Sequence, residues 1–383
     1  MAFAPGTEQT FDFRGRAGEW FGIWIVNLLL SIVTFGIYSA WAKVRRLKYF
    51  YNNSYMDGRN FDYHATGWQI LKGRLIFIAG YVVFSLIVSL APIVGLILLI
   101  GLVALIPWLL VRAMMFNARM TSFSNVRFNF VGTYGRSFLV FILLPFVLYL
   151  AFGLLGGLAF FITVELFPEG GLLVGMVALV FAPVALAIYD RVIKGFSINN
   201  HMLGNAGFTL DISLRPFLMA QIAALAWVIF VGGIGIIVTG FSVDAFVRAI
   251  EGLERGETSG FGVIALFYFL IFFAIIPAAF IYQALIRNAV YNHTSLKGGH
   301  RFRSDISWST YCWIAVSNFV IAVCTLGLML PWAQIRMMKY LSDHTHVTPG
   351  SSMDDFIGDQ VAAGNAIGDA YGDFEAVDIG LPV

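Results

Sequence analysis

From Leu75 to Val111 the chain carries no charged or amide side chain, and four further runs of the same kind follow it. These are Phe138–Val164, Gly171–Tyr189, Phe217–Phe241 (interrupted only by Gln221) and Phe261–Ala284 (only Gln283). Each approaches or exceeds the roughly 20 apolar residues that a helix needs to cross a bilayer core. The first run, 37 residues, would be about 55 Å long as one helix, so it predicts a helical hairpin that turns at Pro92. Two more hairpins are expected, turning at Phe167-Pro168-Glu169-Gly170 and across Ser242–Gly260. Six transmembrane helices result. The alternation of a transmembrane β-barrel is absent from the apolar runs, so the expected fold class is an all-α, polytopic helical bundle.

Two shorter apolar segments flank the six. Trp20–Tyr38 and Trp313–Leu330 are related by an offset of 291 positions, which holds without a gap from Phe11/Phe302 to Ser54/Thr345. Asn27 meets Asn318, Gly36 meets Gly327, Trp41-Ala42 meets Trp332-Ala333, and Arg45 meets Arg336. As single spans on either side of six crossings, these copies would run in opposite directions. They share one orientation if each is a re-entrant or interfacial half-hairpin, broken at Thr34-Phe35-Gly36 and Thr325-Leu326-Gly327. Eight simple spans are the alternative. A weaker pattern joins the ends to the middle, because a cation precedes an amide or His by five residues in five loops. The pairs are Lys48/Asn53, Arg112/Asn117, Lys194/Asn199, Arg287/Asn292 and Lys339/His344. Phe61, Phe128, Phe208 and Phe302 follow the first four, and Phe11-Asp12-Phe13 and Phe128-Asn129-Phe130 read as short extended pieces. Internal repeats of this kind predict five copied units.

Composition agrees with a membrane domain, expected over residues 1–348 with terminal units at about 11–57 and 302–348. The chain is 59% hydrophobic and 12% charged, about half the charge of a typical soluble domain. Its cations are segregated: Lys43–Arg74 has seven Lys/Arg against two Asp, and Arg112–Arg136 has four Arg and no acid. The intervening turns are neutral or acidic, so the basic loops and both termini are expected in the cytoplasm. Arg14 and Arg16 before an apolar run, with Ala40-Trp41-Ala42 beyond it, imitate a cleavable signal. Trp332-Ala333 repeats that site near the other end, and the N-terminal segment is therefore expected to be retained. Residues 349–383 hold seven acids and no Lys or Arg, which predicts a disordered cytoplasmic tail able to engage a protein partner.

The motifs Trp41-Ala42-Lys43-Val44-Arg45, Tyr49-Phe50-Tyr51-Asn52, Phe61-Asp62-Tyr63-His64 and Pro331-Trp332-Ala333-Gln334-Ile335-Arg336 resemble those of the YjgN-like family of bacterial inner-membrane proteins. The likeness covers roughly residues 8–346. It implies an inner-membrane location and no reaction, because that family is itself a domain of unknown function.

Two polar constellations are candidates for a site. Asn27 and Asn318 lie mid-segment in the terminal copies; they could line a solute path, or simply make an interhelical hydrogen bond of about 0.6–2 kcal/mol. Arg45, Asn53, Arg112, Asn117, Lys194, Asn199, Arg287, Asn292 and Arg336 could converge as an anion or lipid-headgroup site. Positive-inside anchoring accounts for the charges without any site, though not for the amides. His344-Thr345-His346 lacks metal-ligand spacing, and no nucleotide loop, nucleophile elbow or nucleic-acid module is visible. No cofactor, metal or catalytic residue is expected, and the bilayer is the expected partner. A transporter or channel for a small solute or lipid, or else a non-catalytic inner-leaflet lipid-binding or structural protein, fits this pattern; an embedded enzyme fits it least.

Overall fold

The computed structural model describes residues 6–166, 171–240, 243–256, 258 and 260–371. It begins with an extended run, β1 (Gln9–Thr10) and β2 (Asp12–Phe13), and then alternates helical hairpins with β-hairpins. The first helical hairpin is α1 (Ala17–Val33) with α2 (Ser39–Asn52), followed by β3 (Ser54–Met56) and β4 (Arg59–Tyr63). The second is α3 (Gly67–Leu90) with α4 (Pro92–Arg119), followed by β5 (Thr121–Phe123) and β6 (Val126–Phe130). In the third, α5 (Tyr134–Phe138) continues through one π-helical turn (Leu139–Leu143) into α6 (Leu144–Leu166), and α7 (Gly171–Asn199) leads to β7 (His201–Leu203) and β8 (Ala206–Leu210). The fourth joins α8 (Arg215–Thr239) through the short α9 (Val243–Glu254) to α10 (Phe261–Asn292), with β9 (Thr294–Leu296) and β10 (His300–Ser304) after it. The fifth is α11 (Trp308–Cys324) with α12 (Leu330–Asp343), ending in β11 (Thr345–Thr348) and a last helix, α13 (Met353–Tyr371).

The strands form one antiparallel sheet in the order β1-β11-β10-β9-β8-β7-β6-β5-β4-β3-β2. Its two edges, β1 and β2, are consecutive pieces of one extended run interrupted at Phe11, so the sheet closes into a barrel. Closure removes the unpaired edges that so short a set of strands would otherwise expose. Tight turns set the register: Asp57-Gly58 and Ser124-Asn125 both adopt positive φ, the backbone that matches the twist of a two-residue β-hairpin. Phe61 then lies opposite Phe123, Phe128 opposite Leu203, Phe208 opposite Leu296, and Phe302 opposite Val347. All of these side chains contribute to one core, which fills the barrel.

This barrel adds a β element to the all-α expectation, while the structure as a whole stays mainly helical. Its strands are two to five residues long, too short for alternation to stand out beside helix ends. Only four of the pairings are local hairpins, the others joining strands at least one helical hairpin apart. The five helical hairpins stand on the barrel as a ring, each packed on its two neighbours, with α12 closing against α1. They do not converge into a bundle with a common core. Five of the described helical spans are long and apolar enough to cross a membrane, and only 0–22% of the residues in the most apolar stretch of each are buried. The sixth expected crossing, α7, is a 29-residue helix whose first side chains lie outside the described residues, as does the turn at 167–170. The Pro92 turn falls where expected, Ala91 alone separating α3 from α4.

The two ends are antiparallel helical hairpins of matching construction. Arg16 N donates to Tyr49 Oη at 2.8 Å and Ser307 N donates to Tyr340 Oη at 3.0 Å, which ties the start of each hairpin to its finish. Phe35 and Leu326 both have φ 50°, followed by Gly36 at 87° and Gly327 at 86°. Since β2 and β3 belong to the same barrel, the chain leaves the barrel along α1 and returns to it along α2. Phe35 is 97% and Leu326 95% exposed, so each tip presents a bare apolar side chain.

The acidic tail also departs from expectation. Residues 353–371 form α13, whose Met353, Phe356 and Ile357 are buried in the barrel core. Three apolar residues on one helical face supply the burial that a net-charge reading of the tail overlooks.

Candidate functional site: the barrel vestibule

The barrel interior is stacked in layers. Phe11, Phe61, Phe128, Phe208 and Phe302 form an aromatic ring, with successive centroids from Phe11 to Phe302 5.9–6.5 Å apart. Met56, Phe123, Leu203, Leu296 and Val347, from the partner strands, form a second layer. Beyond it α13 covers the far mouth, held there by an Arg59–Asp354 ion pair and by Asn205 N donating to Gln360 Oε1 at 2.8 Å. His300 is 1% exposed beneath this cover, 4.4 Å from the Phe356 ring, and neither ring nitrogen has a partner. Burial alone pushes its pKa below the usual histidine value.

On the near side, where the barrel meets the helix ends, lies a cavity of about 690 Å3, within the range of about 300–1,000 Å3 typical of ligand sites. Its walls are the Phe ring and apolar residues from the ends of α2, α7, α10 and α12, including Phe50, Ile198, Val290 and Met338. Arg287 is the one Lys or Arg that lines it, and no carboxylate does so among the described residues. Arg287 Nη2 donates to Thr345 Oγ1 at 2.9 Å, and the guanidinium lies 4.3 Å from the centre of the Tyr291 ring. Its Nε is buried without a partner. A sheltered cationic donor with no anion nearby carries a desolvation penalty that a bound anionic group would offset.

The sequence-predicted residues divide into fasteners and free cations. Asn53 Nδ2 donates to Tyr49 O at 2.8 Å, closing the end of α2. Asn199 Oδ1 accepts from Leu210 N at 2.6 Å and Asn292 Oδ1 from Ser304 N at 2.7 Å, each clamping a returning strand to the helix before it. Asn117 contributes its backbone carbonyl, to Thr121 Oγ1 at 2.9 Å. Two of the amides that anchoring left unexplained, Asn199 and Asn292, are therefore helix-to-barrel joints. Among the cations only Arg287 reaches the vestibule. Arg45 lies 5.7 Å from the Tyr38 ring centre, Arg112 5.5 Å from Trp108 and Arg336 5.3 Å from Trp332. Lys194 is half-buried without an ion pair among the described residues. Asn318 Nδ2 donates to Ala333 O at 3.0 Å and its Oδ1 accepts from Arg336 Nη1 at 3.2 Å, both within its own hairpin. Asn27 is 6% exposed with its Oδ1 unpartnered, and no hydrogen bond joins the two asparagines. Of the residues that build the vestibule, the Phe ring was present in the sequence as a regular spacing but carried no assigned role.

A family model described as a bacterial protein of unknown function (DUF898) matches residues 8–374. The inner membrane protein YjgN of Salmonella typhimurium is 29% identical over 88% of each chain. Its namesake in Escherichia coli K12 is 26% identical, again over 88% of each. No solved structure is significantly similar to the chain.

Proposed function

The chain belongs to the DUF898 family, and on that footing we propose that it is an inner-membrane protein that takes an amphiphilic, acyl-chain-bearing molecule from the inner leaflet into the barrel vestibule. The location follows the names of its relatives. The segregated cations orient the barrel toward the cytoplasm. The carrying observation is the vestibule itself: an apolar, aromatic-walled cavity with one Lys or Arg, Arg287, that has no carboxylate partner among the described residues. In this reading the chain of the amphiphile lies against the Phe ring and its anionic head meets Arg287.

The helix ring supports an apolar cargo over a polar solute. The spanning helices are apolar around their whole circumference and little buried. A path for a hydrated solute would require a polar stripe facing a water-filled lumen. The free surfaces of these hairpins are suited to acyl chains on either side. Mass spectrometry of lipid carried through purification tests the reading. One amphiphile per protein is expected in the wild type, with loss in Arg287→Gln and in Phe208→Asp. Wild-type protein without retained lipid, or variants that retain it unchanged, would count against it.

A further inference from the structure

A second basic cleft lies outside the barrel. It opens between the beginning of α3 and the end of α4, has a volume of about 300 Å3, and is lined by Gln69, Lys72, Arg112 and Arg119 with Met115 and Phe116 beside them. The three cations come from different turns of two antiparallel helices, and none has a carboxylate within ion-pair distance among the described residues. Lys72 and Arg119 are exposed, whereas Arg112 is half-buried, with its Nε sheltered and unpartnered and its guanidinium near the Trp108 ring. The Gln69 Oε1 is already used, accepting from Thr66 N at 2.9 Å in the capping box that starts α3. The cleft thus has donors in excess and no internal anion.

Three unneutralised cations facing one small cleft repel one another, and a bound anion relieves that repulsion. An arginine fork suits phosphate oxygens, while a lysine supplies a mobile point charge. The setting selects among anions: α3 and α4 are apolar immediately beyond the cleft, so a ligand with a charged head and apolar chains is complementary to both parts. We infer that Lys72, Arg112 and Arg119 form a phosphate-binding site at the base of the α3–α4 hairpin, occupied by the phosphodiester of an anionic phospholipid. This site is separate from the vestibule and does not depend on what the vestibule holds.

The test uses the full-length protein in detergent micelles and native mass spectrometry. Phosphatidylglycerol and phosphatidylcholine are supplied in turn, with millimolar inorganic phosphate as a competitor in a third arm. Wild-type protein is expected to retain phosphatidylglycerol in preference to phosphatidylcholine. Lys72→Gln with Arg119→Gln should lower that preference about 25-fold, since each basic side chain near an anionic headgroup is worth about fivefold. Arg46→Gln with Lys48→Gln removes the same charge from exposed positions on α2 and should leave the preference intact. All arms are repeated in an Arg287→Gln background, where the vestibule no longer contributes a bound headgroup and the remaining preference belongs to this cleft. Displacement by inorganic phosphate would keep the phosphate site and identify its occupant as the free anion. No preference in the wild type, an equal loss in the α2 control, or no further loss on adding Lys72→Gln and Arg119→Gln to Arg287→Gln would each overturn the inference.

Discussion

The barrel and the helix ring are both built from apolar residues, yet they satisfy them in opposite ways. Phe123, Phe130, Leu203 and Val347 are almost wholly enclosed by protein, whereas Ile97, Phe77 and Leu154 on the helices are more than half exposed. The barrel is its own solvent, and burial of its side chains is the usual hydrophobic contribution to folding in water. The helices have satisfied their backbone hydrogen bonds internally and leave their side chains for lipid. Equal hydrophobicity therefore does not mean equal sensitivity to substitution.

Truncating one side chain in each region should break the symmetry most sharply. Phe123→Ala opens a cavity in the barrel core and should cost about 3–5 kcal/mol. Ile97→Ala, on a lipid-facing surface, should stay within about 0.5 kcal/mol. Thermal denaturation in one detergent measures both, and similar midpoints would show that the barrel does not carry the stability.

Ending the chain after Ser352 removes Met353, Phe356 and Ile357 from the barrel mouth. The expected result is a loss of about 2–5 kcal/mol and uptake of an apolar dye, with the helix ring retained by circular dichroism. A truncated protein as stable and as closed as the full chain would show that α13 merely rests on the barrel.

Proton binding should loosen the same cover. His300 has a folded pKa below its unfolded value of about 6.5, so the unfolded or uncovered state binds the proton more readily. The covered state is therefore fully stable above about pH 6.5 and loses stability as pH falls below it. Once divided by the intrinsic base-catalysed rate, the protection of α13 against hydrogen exchange should fall from pH 7.5 to 5.5 in the wild type, and His300→Leu should flatten that response. An unchanged pH dependence in the variant would transfer the effect to another group.

The smallest effect separates the two terminal copies. Asn318→Leu removes bonds to Ala333 O and Arg336 and should cost about 1–2 kcal/mol. Asn27→Leu removes an amide whose buried Oδ1 is unpartnered, and should be neutral or stabilising. Equal costs would restore the sequence equivalence of these positions.

Several features were legible before the fold was known. The hairpin turn at Pro92, the matched breaks at Phe35-Gly36 and Leu326-Gly327, and the long apolar helices all follow from local rules: proline geometry, positive φ and span length. The Phe spacing was legible too, as a period without a meaning. Its meaning lies in pairs such as Phe61/Phe123 and Phe302/Val347, where strands separated by tens of residues become neighbours. Lys72 and Arg119 were counted only among the charges of two separate basic stretches, Lys43–Arg74 and Arg112–Arg136; only the packing of α3 on α4 places them in one cleft with Arg112.

What the chain determined by itself is the set of elements whose causes are local and their division between an apolar and a charged side. Tertiary structure decided that four short β-hairpins, with β1, β2 and β11, close into one barrel, that α13 covers it, and that Arg287 alone of the predicted cations lines its vestibule. The physical reason is range. A helix satisfies its hydrogen bonds within four residues and leaves its mark on the sequence, whereas a three-residue strand is stable only once distant strands complete its ladder.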